Sequence, residues 1–227
     1  MSSIAASVSA VLLDLDGTLV GTKALYMEAY RAAVRRHIRE DLSDEDIMAL
    51  RPTSELAFLR AVVAEERLEA CLRDFYTAYD RLHPQLFEGI YDGVPDLLDA
   101  IRGAGLPTGI VTGKSRRSWE ITSAACALGA FDVLIFDDDV RAPKPDPHGL
   151  VQALEALEVP PDEAIYVGDT VTDVQAARAA GLRPVAALWA RKPEDRADYA
   201  DRVRDAGATI AETPEEVRVL LGLAAAA

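Results

Sequence analysis

The sequence predicts an α/β fold: a Rossmann-like parallel sheet core flanked by helices, with an all-helical cap domain inserted after the first strand. Three observations predict it. From residue 94 onward, short apolar runs alternate with helical patterns of about ten residues or more, the spacing of βαβ units and a parallel sheet. One further apolar run, at residues 10–15, stands far upstream of the others. The roughly 65 residues between them carry no strand pattern and are too long for a connecting loop. The division expected is therefore 1–21 and 88–227 for the α/β core and 22–87 for the cap.

Taken in order, residues 10–15 form a short apolar run that ends in acids and Gly17, the mark of a buried parallel strand. The insert reads as helices at 24–37, 43–50, 54–67 and 68–82. The second of these is opened by a Ser43/Asp46 capping pair, and Pro52 and Pro84 punctuate the block. After it come a helix at 94–102, a strand at 107–112, a helix at 115–128 and a strand at 133–136. A helix at 147–157, a strand at 164–167, a helix at 171–180 and a strand at 184–188 follow. Two further helices around a short strand at 208–210 complete the pattern, and the Ala-rich tail after Leu223 reads as frayed helix or coil.

The chain has 227 residues, 50% hydrophobic and 27% charged, which suits one large α/β domain or a core with an insert. Lys+Arg 24 against Asp+Glu 38 gives a net charge of −14. Such a field repels nucleic acid and anionic membrane, so neither is an expected partner, and an anionic substrate would need a locally positive site or a metal. Residues 22–88 carry 10 basic and 13 acidic residues, a net of −3, leaving −11 elsewhere. The cap is thus the more neutral part, compatible with closing over an anion. Cys71 and Cys126 form no CxxC, which excludes a disulfide scaffold or structural zinc and favours a reducing cytoplasm. The start is apolar but lacks a basic segment, and Asp14 and Asp16 end the run, so neither an export signal nor a membrane span is expected. A monomer or homodimer fits equally.

In an open parallel sheet, ligands bind beyond the carboxyl ends of the strands. Four such ends carry suitable polar groups. The first gives Asp14-Leu15-Asp16-Gly17-Thr18, with two carboxylates at i and i+2 on extended chain and a glycine that permits a sharp exit. The second gives Thr112-Gly113, a hydroxyl and an approachable backbone amide. The third is followed by Lys144, flanked by two prolines, and the fourth gives Gly168-Asp169-Thr170-Val171-Thr172-Asp173. Carboxylates converging at one edge repel each other, and Mg²⁺, which takes oxygen ligands, is the simple remedy. Around that ion a carboxylate, a lysine, a hydroxyl and an amide can stabilise a transferring phosphoryl group. An Asp nucleophile splits the reaction through an aspartyl-phosphate, and a second Asp can protonate the leaving oxygen and activate water. A lone acid at a strand end is usually a turn or cap residue, and that reading competes for Asp173. Asp14 differs, because an acid directly after Ala-Val-Leu-Leu in a buried strand is costly without a partner.

In these four motifs and their order, the chain resembles the haloacid dehalogenase superfamily, in particular its phosphoglycolate-phosphatase-like members with a helical cap after the first strand. Asp-Leu-Asp-Gly-Thr at 14–18 is the most specific element of the likeness, and the Gly-Ala-Thr stretch at 207–209 adds to it. The resemblance implies that Asp14 is nucleophile and metal ligand, and that Asp16 is general acid/base with its carbonyl on Mg²⁺. It implies that Thr112 and the Gly113 amide hold phosphoryl oxygens and that Lys144 neutralises their charge and orients Asp14. It makes Asp169 a Mg²⁺ ligand, with Asp173 beside it or bound through water. Two departures stand out: Gly21-Thr22 replaces the usual acid and Ser/Thr, and Gly113 replaces a frequent Asn or Ser. The function implied is Mg²⁺-dependent hydrolysis of a small phosphorylated metabolite.

Substrate choice is expected from Arg51, Thr53 and Ser54, between two cap helices; the simpler reading makes Thr53 or Ser54 a helix cap and Arg51 a surface residue. His37, His83 and His148 are too scattered for a triad, and the latter two sit beside prolines in expected turns. Trp119, Trp189, Tyr76 and Tyr79 read as packing residues. Asp137-Asp138-Asp139 reads as a solvated loop rather than a second metal site. A phosphomutase of the β-phosphoglucomutase type would share every core residue. A phospho-accepting receiver or binding module also combines Asp, Thr and Lys, but the long insert and the Asp-x-Asp-Gly-Thr pairing oppose it. A dehalogenase has no need of Asp16.

Overall fold

Why the first strand is buried follows from its composition: β1 (Ala10–Leu13) is four apolar residues, none with measurable exposure. We describe it in a computed structural model, in which residues 8–38, 42–50 and 53–224 are described. Five more strands join it: β4 (Thr108–Val111), β5 (Val133–Ile135), β6 (Ala164–Gly168), β7 (Arg183–Ala187) and β8 (Thr209–Ala211). They form one parallel sheet in the order β5-β4-β1-β6-β7-β8. Alternate residues of β1 face opposite sides. Val11 and Leu13 meet Val94, Leu97 and Ile101 of α5 (Val94–Gly103) and Val217 of α10 (Pro214–Leu220). Ala10 and Leu12 meet Leu150 and Leu154 of α7 (His148–Leu157) and Ala176 and Ala177 of α8 (Val171–Ala180). With both faces covered, the inner strands are continuous apolar runs rather than alternating ones. α6 (Arg116–Ser123) follows β4, and α9 (Pro193–Asp205) packs Val203 against Val174, Ala186 and Leu188.

Register brings the chemistry to one edge. Leu13 lies opposite Ile110 of β4 and Val167 of β6, so Asp14 is level with Val111 and Gly168. Thr112 and Asp169 then come one residue beyond.

The polypeptide leaves the sheet after β1 through β2 (Val20–Gly21) and returns through β3 (Gly89–Ile90), which pair antiparallel. Between them lie α1 (Lys23–Val34), α2 (Asp44–Ala49), α3 (Glu55–Val62) and α4 (Glu65–Leu86). This helical insert has its own apolar centre, including Leu25, Ala29, Tyr30, Phe58, Leu59, Phe75 and Tyr79. Ring centroids of Tyr30 and Phe58 are 4.0 Å apart and those of Tyr30 and Phe75 5.1 Å. Such pairs add about 0.5–1.5 kcal/mol beyond area burial.

Several boundaries differ from the sequence expectation, each for a local reason. β1 stops at Leu13 because the chain turns at once: the amides of Leu19 and Val20 both return to the Leu15 carbonyl, and Gly17 takes φ +79°. The third and fourth insert helices divide at Val63–Ala64, both extended, not at 67/68. Pro84 does not end α4; it lies in the last turn, where it removes one i→i−4 bond but the helix runs only two residues further, and Phe87 N–H closes the end on His83 O. His83 accordingly sits in a helix rather than a turn. The helix expected at 115–128 ends at Ser123, with Ser115 as its N-cap. The β2/β3 pair, two residues each, is too short to leave a pattern. The capping pair Ser43/Asp46 is present in both directions. Residues 225–227 lie outside the described residues. Among the described residues, both cysteines are free, and no helix is long and apolar enough to cross a membrane.

Candidate active site

Asp14 follows β1 immediately, and its amide continues the ladder onto Val167 O at 2.8 Å. That fixes the carboxylate at the sheet edge, 6% exposed. Lys144, from the loop after β5, reaches it from the neighbouring strand side: its Nζ is 2.9 Å from Asp14 Oδ1 and 2.6 Å from Asp173 Oδ1. Tyr166 of β6 aligns this ammonium. The Tyr166 hydroxyl accepts from Lys144 at 2.8 Å and donates to Val111 O at 2.6 Å. Burial opposes the charge on Lys144, yet Asp14 and Asp173 hold its pKa well above the usual lysine range.

The opposite applies to the acids. Burial raises the Asp14 carboxyl, Lys144 opposes that, and the carboxylates of Asp173 and Asp169 reinforce it. Burial likewise pushes Asp169 up to about 7, against the pull of Arg191. The Arg191 guanidinium donates to Asp169 Oδ2 at 2.9 Å and to its carbonyl at 2.7 Å, and lies 4.0 Å from the Tyr199 ring centroid. Asp173 caps α8: its Oδ2 accepts from the Thr170 amide at 2.8 Å and hydroxyl at 2.6 Å. The cap reading of Asp173 and its place in the acidic cluster are therefore both observed.

One oxygen from each of Asp14, Asp169 and Asp173 lies within 4.8 Å of the other two. This donor set is all carboxylate, which suits a hard divalent cation such as Mg²⁺ better than a softer metal. The raised acids point the same way, since Lys144 and Arg191 together do not offset the burial of Asp14 and Asp169. Gly17 serves the same convergence, because a Cβ there would stand 2.7 Å from the Asp169 carboxylate. The residues present fit the ion.

Asp16 faces elsewhere. Its carboxylate accepts from Lys114 Nζ at 2.9 and 3.2 Å and from Thr22 Oγ1 at 2.7 Å. Thr112 is buried, and its Oγ1 accepts the Lys114 amide at 3.2 Å. Gly113 meets the helical insert: the Glu55 amide donates to Gly113 O at 3.3 Å. An added Cβ on Gly113 would stand 2.3 Å from Thr53 O, so the glycine is what lets the 53–55 segment settle here. Ser54 caps α3, accepting from the Ala57 amide at 3.1 Å. Arg51 lies outside the described residues. Thus Asp14, Lys144, Asp169 and Asp173 form one group, Asp16 and the 112–113 turn border it, and Thr53 and Ser54 lie over Gly113.

The run 137–139 is tied down rather than simply solvated. Asp137 accepts from Leu56 N–H, Asp138 from Arg116 N–H, and Asp139 from Phe136 N–H and the Arg116 guanidinium. Trp189 donates to Thr18 O and packs with Trp119 against the sheet core. His37 bonds Asp74, and His148 accepts from Arg141 N–H. Sequence reasoning missed Lys114, Glu55, Tyr26, Tyr166 and Arg191. Lys114 had a signal, as a lysine directly after a strand-end Thr-Gly; Tyr166 and Arg191 had none, because each acts through a residue distant in sequence.

Residues 11–187 match the family model described as haloacid dehalogenase-like hydrolase. The pyrophosphatase PpaX of Bacillus velezensis is 32% identical over 186 residues, 82% of this chain and 85% of its own. The crystal structure of CbbY from Rhodobacter sphaeroides in complex with phosphate superposes with a TM-score of 0.80 at 24% identity, covering 95% of this chain and all of that one. A Lactobacillus plantarum protein provisionally assigned as a phosphoglycolate phosphatase gives 0.79 at 24% identity, over 94% and 99% of the two chains. These structural likenesses bear on the fold.

Proposed function

The chain belongs to the haloacid dehalogenase-like hydrolase family, and from that membership we propose that it is a Mg²⁺-dependent phosphatase of a small phosphorylated metabolite, working through an aspartyl-phosphate on Asp14. The observation that carries this reading is the meeting of Asp14, Lys144, Asp169 and Asp173 at one sheet edge from three strand ends.

Asp14, Asp169 and, directly or through water, Asp173 would hold the ion, with the Asp16 carbonyl as a further ligand. Bound there, Mg²⁺ supplies charge that offsets the acids and the phosphoryl oxygens. Lys144, held by Tyr166, directs the Asp14 carboxylate and receives a phosphoryl oxygen; Thr112 and the Gly113 amide receive others. An Asp14 oxygen attacks phosphorus, the P–O ester bond breaks, and Asp16 gives its proton to the departing oxygen. Water then attacks phosphorus of the acyl phosphate, Asp16 takes the proton, and inorganic phosphate leaves while Asp14 is restored. Residues 22–87 act as a cap, with Thr53, Ser54 and Arg51 on the substrate side. The cytoplasm, with its phosphorylated metabolites and reduced thiols, is the fitting compartment.

Phosphoglycolate and pyrophosphate, named for relatives and neighbours, head the panel of substrates, followed by sugar phosphates and nucleotides. We expect Mg²⁺-dependent phosphate release from at least one. Asp14→Asn is expected to reduce it by about 10⁴-fold or more with the fold retained, since the nucleophile is removed. Wild-type rates in that variant would refute the covalent route. Isomerisation without net release would favour the mutase, and slow stoichiometric labelling by acetyl phosphate without turnover would favour the receiver.

A further inference from the structure

Of the four lysines, Lys114 is the one whose side chain has no exposure at all. It stands on the core, at the end of β4, yet half of its surroundings come from the helical insert. Its ammonium donates to both oxygens of Asp16 and, at 2.8 Å, to the hydroxyl of Tyr26 on α1. The rings of Tyr26 and of Tyr79 on α4 lie 4.5 and 4.8 Å from Nζ. Tyr26 in turn donates at 2.6 Å to Glu55 of α3, which is buried and also accepts from Ser118 of α6 at 3.1 Å. A buried ammonium is tolerated only where its partners are complete. Here completion requires the insert to be seated on the core.

Asp16 depends on this arrangement. Besides Lys114 its carboxylate has Thr22 on one oxygen and a long 3.4 Å contact from Tyr26 on the other. Lys114 is the donor that spans both oxygens and so sets the plane of the group.

We propose that Lys114 is a positioning residue for Asp16, aiming the acid/base carboxylate when the helical insert is seated and touching no reacting atom itself. This rests on the phosphatase reading, in which Asp16 protonates the leaving oxygen. Lys144 neutralises phosphoryl charge; Lys114 does not. The two lysines therefore divide between the transferred group and the departing one.

The test uses the leaving group. An alkoxide needs a proton to depart, whereas p-nitrophenolate does not, and kcat/KM reports steps through phosphoryl transfer to Asp14. Glycerol 1-phosphate and p-nitrophenyl phosphate are compared with MgCl₂ for the wild type, Lys114→Met and Tyr26→Phe. General acid catalysis contributes about 10²–10⁴-fold. Lys114→Met is therefore expected to lose about 10²-fold or more on glycerol 1-phosphate and less than about tenfold on the aryl ester. Equal losses on both esters would overturn the proposal while leaving the phosphatase reading intact. No phosphate release by the wild-type enzyme from these esters or from any member of the substrate panel would instead remove the reading on which it rests. Should Lys114→Met not fold, Tyr26→Phe keeps the ring and removes the shared hydroxyl. It is expected to show the same selective loss, several-fold, and an unselective loss there also overturns the proposal.

Discussion

Asp14 and Asp169 are acids made reluctant to ionise by their setting, and this has a measurable consequence. Both carboxyls are raised in the folded chain, chiefly by burial, Asp169 to about 7 against an ordinary value of 3.8. A group with a raised folded pKa contributes stability that is present below its unfolded value and lost as pH rises through the folded one. Without a divalent ion, thermal stability should therefore decline between about pH 4 and pH 8. On the proposed reading, Mg²⁺ binding would require the ionised carboxylates, so protons would compete with it. Displacing a single proton from a group at about 7 weakens apparent affinity about tenfold for each pH unit below that value. Differential scanning in EDTA and in MgCl₂ should give melting temperatures that separate widely at pH 8 and converge at pH 5.5. A gap that narrows toward pH 8 would mean that these acids are not what binds the ion. At this scale much was legible in the sequence, because an acid after four apolar strand residues requires a partner. Arg191, resting on Asp169, was not legible, since nothing local distinguishes it from other arginines of that stretch.

Among the elements, the contact of consequence is between the start of α3 and the turn from β4 to α6. Bonds cluster around it: Glu55 N–H donates to Gly113 O, Leu56 N–H to Asp137 beyond β5, and Ser118 to Glu55, while Lys114 donates to Tyr26 of α1. Gly113 is the point of closest approach, where a methyl group would press on the Thr53 carbonyl. Backbone cannot yield as a flexible side chain does, so Gly113→Ala should unseat the 53–56 segment at a cost of about 1–3 kcal/mol. Hydrogen exchange reads this directly. The amides of Glu55 and Leu56 should lose protection by about tenfold, while those of β1 and β6 stay unchanged. Unaltered protection at Glu55 would show that the segment is held by other contacts. Sequence pattern identified the helices on both sides of this contact but not the contact itself. Caps and periodicity act over a few residues; the docking of 53–56 on 113 depends on the β2/β3 pair and on aromatic packing among α1, α3 and α4. For the same reason, the observation that Gly113 stands in place of a frequent Asn or Ser left out what its bareness permits.

At the scale of the molecule, alternation of apolar runs and amphipathic stretches foretold a parallel sheet, and burial on both faces explains why those runs are continuous. The order β5-β4-β1-β6-β7-β8 is less legible, because it is set by pairing between segments up to about 150 residues apart. That order puts β1, with its two acids, between β4 and β6, so the motif residues meet although they are scattered along the chain. Negative charge dominates the chain as a whole: the net is −14, and residues outside 22–88 carry −11 of it. On the proposed reading, a phosphomonoester dianion approaching the sheet edge would have to cross that field before Lys144 met it at contact distance. Screening by salt shortens the field to about 10 Å at 0.1 M, so capture should become faster as salt is added, opposite to enzymes whose clefts attract their substrates. With Mg²⁺ saturating, kcat/KM is expected to rise at least about twofold between 20 and 150 mM KCl, with kcat nearly constant because charges in direct contact are screened little by bulk ions. A decline over that range would mean that local positive charge at the mouth outweighs the acidity of the whole, and that approach is steered by a few residues near the sheet edge rather than by the molecule's net charge.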